Sequence, residues 1–96
     1  MIERTKMRRV LRNIHKLKYT DKNEFDHVMN TLDVIKEIVK PEDYDYFIDN
    51  CVYEKNYEEL KAKYGNKSKP TFYKHINECL DLFVVLYNSY STIKDL

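Results

Sequence analysis

Ninety-six residues and 11.7 kDa allow one compact domain, and so short a chain leaves much of its apolar surface exposed unless it finds a partner. One glycine and two prolines, with Leu, Lys and Glu filling the stretches between them, argue against a strand-and-turn architecture and for an all-α fold of about five helices. The formal net charge of +1 conceals a strong polarity. From Met1 to Tyr19 seven Lys or Arg face one acid, giving +6, and from Thr20 to Glu59 four face twelve, giving −8. From Leu60 to Asn77 five Lys face no acid, giving +5, and the remainder gives −2. Two basic ends around an acidic middle suit a protein that meets a polyanion with part of its surface.

In chain order, Met7, Val10, Leu11, Ile14 and Leu17 recur at three- and four-residue spacing, which predicts one amphipathic helix ending near Tyr19. Arg8, Arg9, Arg12 and Lys16 fall outside its apolar stripe and form a secondary basic patch, a second candidate surface for nucleic acid. Asp21 with Glu24 has the spacing of a capping box for the next helix. That helix carries Phe25, Val28, Leu32, Ile35 and Val39 in a heptad-like seam, widened by Met29 and Ile38. Such a seam asks for another helix, either the first one folded back as a helical hairpin or the same seam of a second copy in a homodimer. Residues 1–40 thus read as an amino-terminal hairpin.

Lys40-Pro41 ends the pattern, because proline disfavours helical geometry in the residue before it and is well placed in a first turn. A third helix follows, burying Tyr44, Phe47, Ile48, Cys51 and Val52 and leaving Glu42, Asp43, Asp45 and Asp49 outside. Asn56 with Glu59 marks a short fourth helix through Tyr64. Gly65 falls where that helix must end and the chain turn sharply, a place for positive φ. Ser68 caps the fifth helix, with Pro70 in its first turn, and Phe72, Ile76, Cys79, Leu80, Phe83, Leu86 and Tyr87 supply its buried face. The tail after Asn88 is expected to fray. Residues 41–96 make a three-helix unit in the same compact domain as the hairpin.

The run YEELKAKYGNKSKPTFYKHINECL, from Tyr57 to Leu80, has the form of a helix-turn-helix. A short helix, a tight turn and a longer helix grip DNA when the second helix buries one face and leaves the other free for the major groove. Leu60 and Tyr64 are placed to pack on Phe72 and Ile76, which puts Pro70, Lys74 and Asn77 on the far side with Thr71 and Tyr73 flanking. Lys67, Ser68 and Lys69 suit phosphate contact at the helix start. Lys74, Asn77, Thr71 and Tyr73 have the chemistry to read base edges.

These residues resemble the last helix pair of sigma-factor region four and the similar ArpU and RinA type of phage late-transcription regulators. Glu59, Leu60, Tyr64, Gly65, Ser68, Thr71, Tyr73, Lys74 and Ile76 match that pattern in order, and the resemblance covers about half of the chain, from Pro41 to Tyr87. The turn Gly65-Asn66-Lys67-Ser68 is one residue longer than the family's Gly-x-Ser, and Lys61 stands where the family has a small residue, so a different helix crossing angle is expected. The resemblance implies transcriptional control at phage or mobile-element promoters, with double-stranded DNA as partner and RNA polymerase or another regulatory protein as a second. The alternative is a small helical module that docks on a regulatory protein through the acidic residues Asp43, Asp45, Asp49 and Glu54.

The two cysteines, Cys51 and Cys79, sit in apolar stripes without metal-site spacing and read as buried, reduced thiols. His15, His27 and His75 are scattered and carry no catalytic pattern. No enzyme activity, cofactor or metal is expected. No apolar run has the length of a secretion signal or a membrane span, so a cytoplasmic protein is expected.

Overall fold

A computed structural model of the chain describes residues 4–63, 65 and 67–94, with side chains as far as residue 89. Among the described residues there are six helices and no strand: α1 (Arg4–Arg12), α2 (Ile14–Thr20), α3 (Lys22–Ile38), α4 (Pro41–Cys51), α5 (Tyr57–Leu60) and α6 (Lys69–Lys94). The fold is all-α. With 26 residues, α6 is about 39 Å long at 1.5 Å per residue, close to the 44 Å long axis of the molecule. It is the spine on which α1, α3 and α4 all pack, while α2 lies against α3.

The expected first helix is two helices, divided at Asn13. Its amide donates to the carbonyls of both Arg9 and Val10, each at 3.2 Å, and its side-chain amide donates to the Arg9 carbonyl at 2.9 Å. Such a side chain competes with the helical ladder, and the chain bends there. The bend lets one apolar stripe serve two neighbours: Met7 and Leu11 are buried on α1 and Ile14 on α2. The hairpin of the sequence reading is therefore α2 on α3 alone, and α1 crosses to α6.

The docking of α1 is polar as well as apolar. Arg4, Arg8 and Arg12 are four residues apart and so share a face. Arg4 forms a two-pronged pair with Asp81, at 2.9 and 2.7 Å. Arg8 donates to the Asn50 and Asn77 side-chain oxygens at 3.0 and 3.4 Å, and Arg12 pairs with Glu54 at 3.4 Å. The partners on α6 fall in number as those on α1 rise, so the two helices run antiparallel.

Asp21 caps α3 by accepting from the Glu24 amide at 3.1 Å. The reciprocal half of the expected capping box is absent, because the Glu24 carboxylate instead accepts from the Tyr87 hydroxyl on α6. Val28, Leu32 and Ile35 of the seam are buried in the chain's own core, with Phe25 and Val39 packed at its margin. Val39 and Lys40 are extended, as a following proline favours, and Pro41 opens α4. That helix is rotated relative to the expected stripe: Tyr46, absent from it, is fully buried beside Phe47, while Tyr44 and Ile48 are half-covered.

Helix α6 extends beyond the expected end at Asn88, to Lys94. His27 is also inside, where its Nε2 lies 2.9 Å from the Tyr87 carbonyl oxygen and its ring 4.0 Å from the Tyr87 ring. Cys51 and Cys79 are free and buried. Burial pushes the Cys51 thiol up to about 11 and the Cys79 thiol up to about 12.

Candidate nucleic-acid interface

Helix α5 is a single turn. Its start is the expected capping box, with the Glu59 amide donating to Asn56 Oδ1 at 3.0 Å and the Asn56 amide to Glu59 Oε1 at 3.2 Å. It ends at Leu60 rather than Tyr64, and residues 61–63 form a turn. Tyr64 and Asn66 lie outside the described residues. Gly65 has φ +79°, the left-handed geometry expected of it. A Cβ there would meet nothing within 4 Å, so backbone conformation is what calls for glycine. Ser68 then caps α6, its Oγ accepting from the Thr71 amide at 3.3 Å and donating to Thr71 Oγ1 at 2.8 Å.

Aromatic rings fix the angle at which α6 leaves the turn. Phe72, 1% exposed, is met edge-on by Tyr46 of α4 at 5.3 Å, by Tyr57 of α5 at 5.4 Å and by its neighbour Tyr73 at 5.1 Å. Edge-to-face pairs of this kind add about 0.5–1.5 kcal/mol beyond area burial. The Tyr57 hydroxyl also donates to the Lys67 carbonyl, which ties the turn to α5. Leu60 and Ile76 are buried in the same cluster. Tyr46 and Tyr57 were not expected in this role, since both are amphipathic residues whose burial depends on partners remote in sequence.

The seven candidate DNA-binding residues divide into three sets. The cap Ser68 is exposed, as are Lys69, Thr71 and Lys74 on the first two turns of α6, and neither lysine forms an ion pair among the described residues. Tyr73 is half-covered, its ring against Phe72. Lys67 and Asn77 are engaged within the molecule. Lys67 Nζ lies 3.5 Å from Glu42 Oε2 and 4.9 Å from the centre of the Tyr46 ring, and Asn77 accepts from Arg8. Beyond Asn77, α6 is flanked by α1.

The basic run is less basic in space than in sequence. Lys61 pairs with Glu58 at 2.9 Å, Lys63 with Asp49 at 3.1 Å and Lys67 with Glu42. Glu58 is held below the usual carboxylate range chiefly by Lys61, with Lys69 adding a smaller pull. The Tyr46 hydroxyl, 2.7 Å from Glu42 Oε1, lowers the Glu42 carboxyl most, and Lys67 adds to it. Lys67 itself is raised, first by Tyr46 and then by Glu42.

The same contacts bear on the other sequence candidates. Of the acidic residues considered for a basic partner, Asp43 faces His75 at 3.5 Å, Asp49 faces Lys63 and Glu54 faces Arg12, and of the four Asp45 and Glu54 are exposed. Of the secondary basic patch, Arg8 ties α1 to Asn50 and Asn77, while Arg9, Arg12 and Lys16 are exposed, Arg12 beside Glu54. Among the described residues, no group of three or more His, Cys, Asp or Glu is arranged to hold a metal ion, and no helix is long and apolar enough to cross a membrane.

In comparisons with known proteins, no family model matches the chain, and neither a curated protein nor a solved structure matches it.

Proposed function

We propose that this chain is a transcriptional regulator of phage or mobile-element type that binds double-stranded DNA through α5, the turn at Gly65 and the first two turns of α6. The observation that carries the reading is the two-sidedness of the α6 start. Phe72 and Ile76 are sealed against Tyr46, Tyr57 and Leu60, while Lys69, Thr71 and Lys74 project into solvent. A helix held rigidly from behind and basic in front is what major-groove docking requires, and docking by the amino-terminal turns of such a helix is the usual geometry. Lys69 and Ser68 suit phosphate contact, Lys74 and Thr71 base edges. Asn77 sits at the rear limit of the surface, engaged by Arg8 of α1.

The test is an electrophoretic mobility shift with duplexes from the promoter region beside the gene, repeated over a range of salt. The intact protein is expected to bind in a salt-sensitive manner. Lys69→Glu with Lys74→Glu is expected to weaken binding on the order of a hundredfold at low salt, and neutral Gln substitutions at both positions to flatten the salt dependence by about 1.8 logarithmic units. Circular dichroism should be unchanged, since both side chains are exposed. Absence of any duplex binding, or full binding by the doubly reversed variant, overturns the reading.

A further inference from the structure

The Glu42 carboxylate stands in the position of a competitor. Lys67 is the last basic residue before the Ser68 cap, at the foot of the exposed surface, yet its ammonium faces Glu42 Oε2 at 3.5 Å over the Tyr46 ring. Glu42 is not there by chance of rotamer: its other oxygen, Oε1, accepts from the Tyr46 hydroxyl at 2.7 Å, and Tyr46 is fixed in the core by Phe72. The backbone of Lys67 is held as well, through the Tyr57 hydroxyl. A lysine steadied at both ends beside a steadied carboxylate presents a positive charge offset by a negative one 3.5 Å away. A phosphate arriving at the turn must share that ammonium with an anion the protein supplies.

Resting on the DNA-binding reading above, we propose that Glu42 sets the affinity of the interface downward, by occupying Lys67 and repelling the phosphate that Lys67 would otherwise hold. The partner is the phosphodiester backbone, and the effect is general to duplexes of any sequence, because phosphate contacts carry register and strength but no base identity. The consequence is a protein whose non-specific binding is restrained while the base-reading positions Thr71 and Lys74 keep their share of the total.

Glu42→Gln tests this with little risk to the fold. The side chain is about half exposed, and glutamine keeps an acceptor for the Tyr46 hydroxyl. Fluorescence anisotropy titrations with one labelled duplex, at several salt concentrations, compare the intact protein, Glu42→Gln, Lys67→Met and the double variant. Glu42→Gln is expected to tighten binding roughly three- to tenfold at low salt and to steepen the salt dependence by about 0.9 logarithmic units, one added phosphate contact. Lys67→Met in the Glu42→Gln background is expected to abolish that gain, and Glu42→Asp to resemble the intact protein. Unchanged or weaker binding by a folded Glu42→Gln, or a gain that survives loss of Lys67, overturns the role of Glu42 and leaves the interface standing. Failure of the intact protein to bind the duplex removes the interface and, with it, this role.

Discussion

Helix α1 and the stretch from Lys61 to Lys74 both look, in sequence, like surfaces made for a polyanion, and folding treats them differently. In α1 the arginines at four-residue spacing reach across to Asp81, Asn50, Asn77 and Glu54, Arg8 half-buried and Arg4 and Arg12 at the surface, so the positive charge of that face serves to attach one helix to the rest. In the second region Lys61, Lys63 and Lys67 meet acids of α4 and α5, and only beyond Ser68 do Lys69 and Lys74 stand clear. The lesson is that a count of charges along the chain measures what is available, and the fold decides how much of it faces water. Arginine suits the first task, since its planar fork engages two acceptors at once, as Arg4 and Arg8 both do. Lysine suits the second, as a mobile point charge.

The strongest way to break this comparison is to remove what holds α6 from behind. Phe72→Ala is expected to cost about 3–5 kcal/mol in urea unfolding, because its ring is fully enclosed by three tyrosines. A loss of less than about 1 kcal/mol would mean that the bare face has no anchored back. Next comes Arg8→Met. Loss of its bonds to Asn50 and Asn77 is expected to lower stability by about 1–3 kcal/mol while leaving duplex affinity within about twofold. The reverse, intact stability with lost DNA binding, would make α1 the nucleic-acid surface. Gly65→Ala follows at about 1 kcal/mol, all of it from the backbone at φ +79°, and Gly65→Asn should recover part of that loss.

The smallest effect near neutral pH is that of the two thiols, one of which Arg8 covers at 3.7 Å. Folding raises both from an ordinary 9.0, to about 11 for Cys51 and about 12 for Cys79, so the folded state favours the neutral form. Their contribution is complete below about pH 9 and is lost as pH rises through those values. Thermal unfolding followed against pH should decline above about pH 9, and Cys51→Ala with Cys79→Ala should soften the decline. Tyr46 and Tyr87, also raised chiefly by burial, would sustain the remainder.

Features fixed by neighbours in the chain were legible in advance. The Asn56 and Glu59 box, the Ser68 cap, the boundary at Pro41 and the positive φ of Gly65 each depend on backbone groups within four residues, and each stands where the pattern put it. So does the all-α fold, since periodic burial over seven or more residues needs no knowledge of the partner. What was not legible depends on contacts between distant segments. Glu24 leaves its capping box because Tyr87 is there to donate. Tyr46 is buried because Phe72 waits opposite it. Glu42 is exposed as its place on α4 predicts, whereas Asp43 and Asp49 are half-covered, and the meeting of these acids with His75, Lys63 and Lys67 depends on how α4 lies against the turn and α6. Asn13 had a local signal, an amide side chain able to reach the carbonyl four residues back, which the continuous apolar stripe concealed.

The length of α6 has a mechanical consequence. One uninterrupted rod carries both the lysines at its open end and, farther along, the side chains gripped by α1 and α3, with no joint between. The open end therefore cannot swivel on its own, and a ligand meeting it finds a shape already settled, so little freedom remains to be lost on contact. Any tilt imposed there must travel lengthwise and be felt about five turns on, where Tyr87 touches Glu24 and His27.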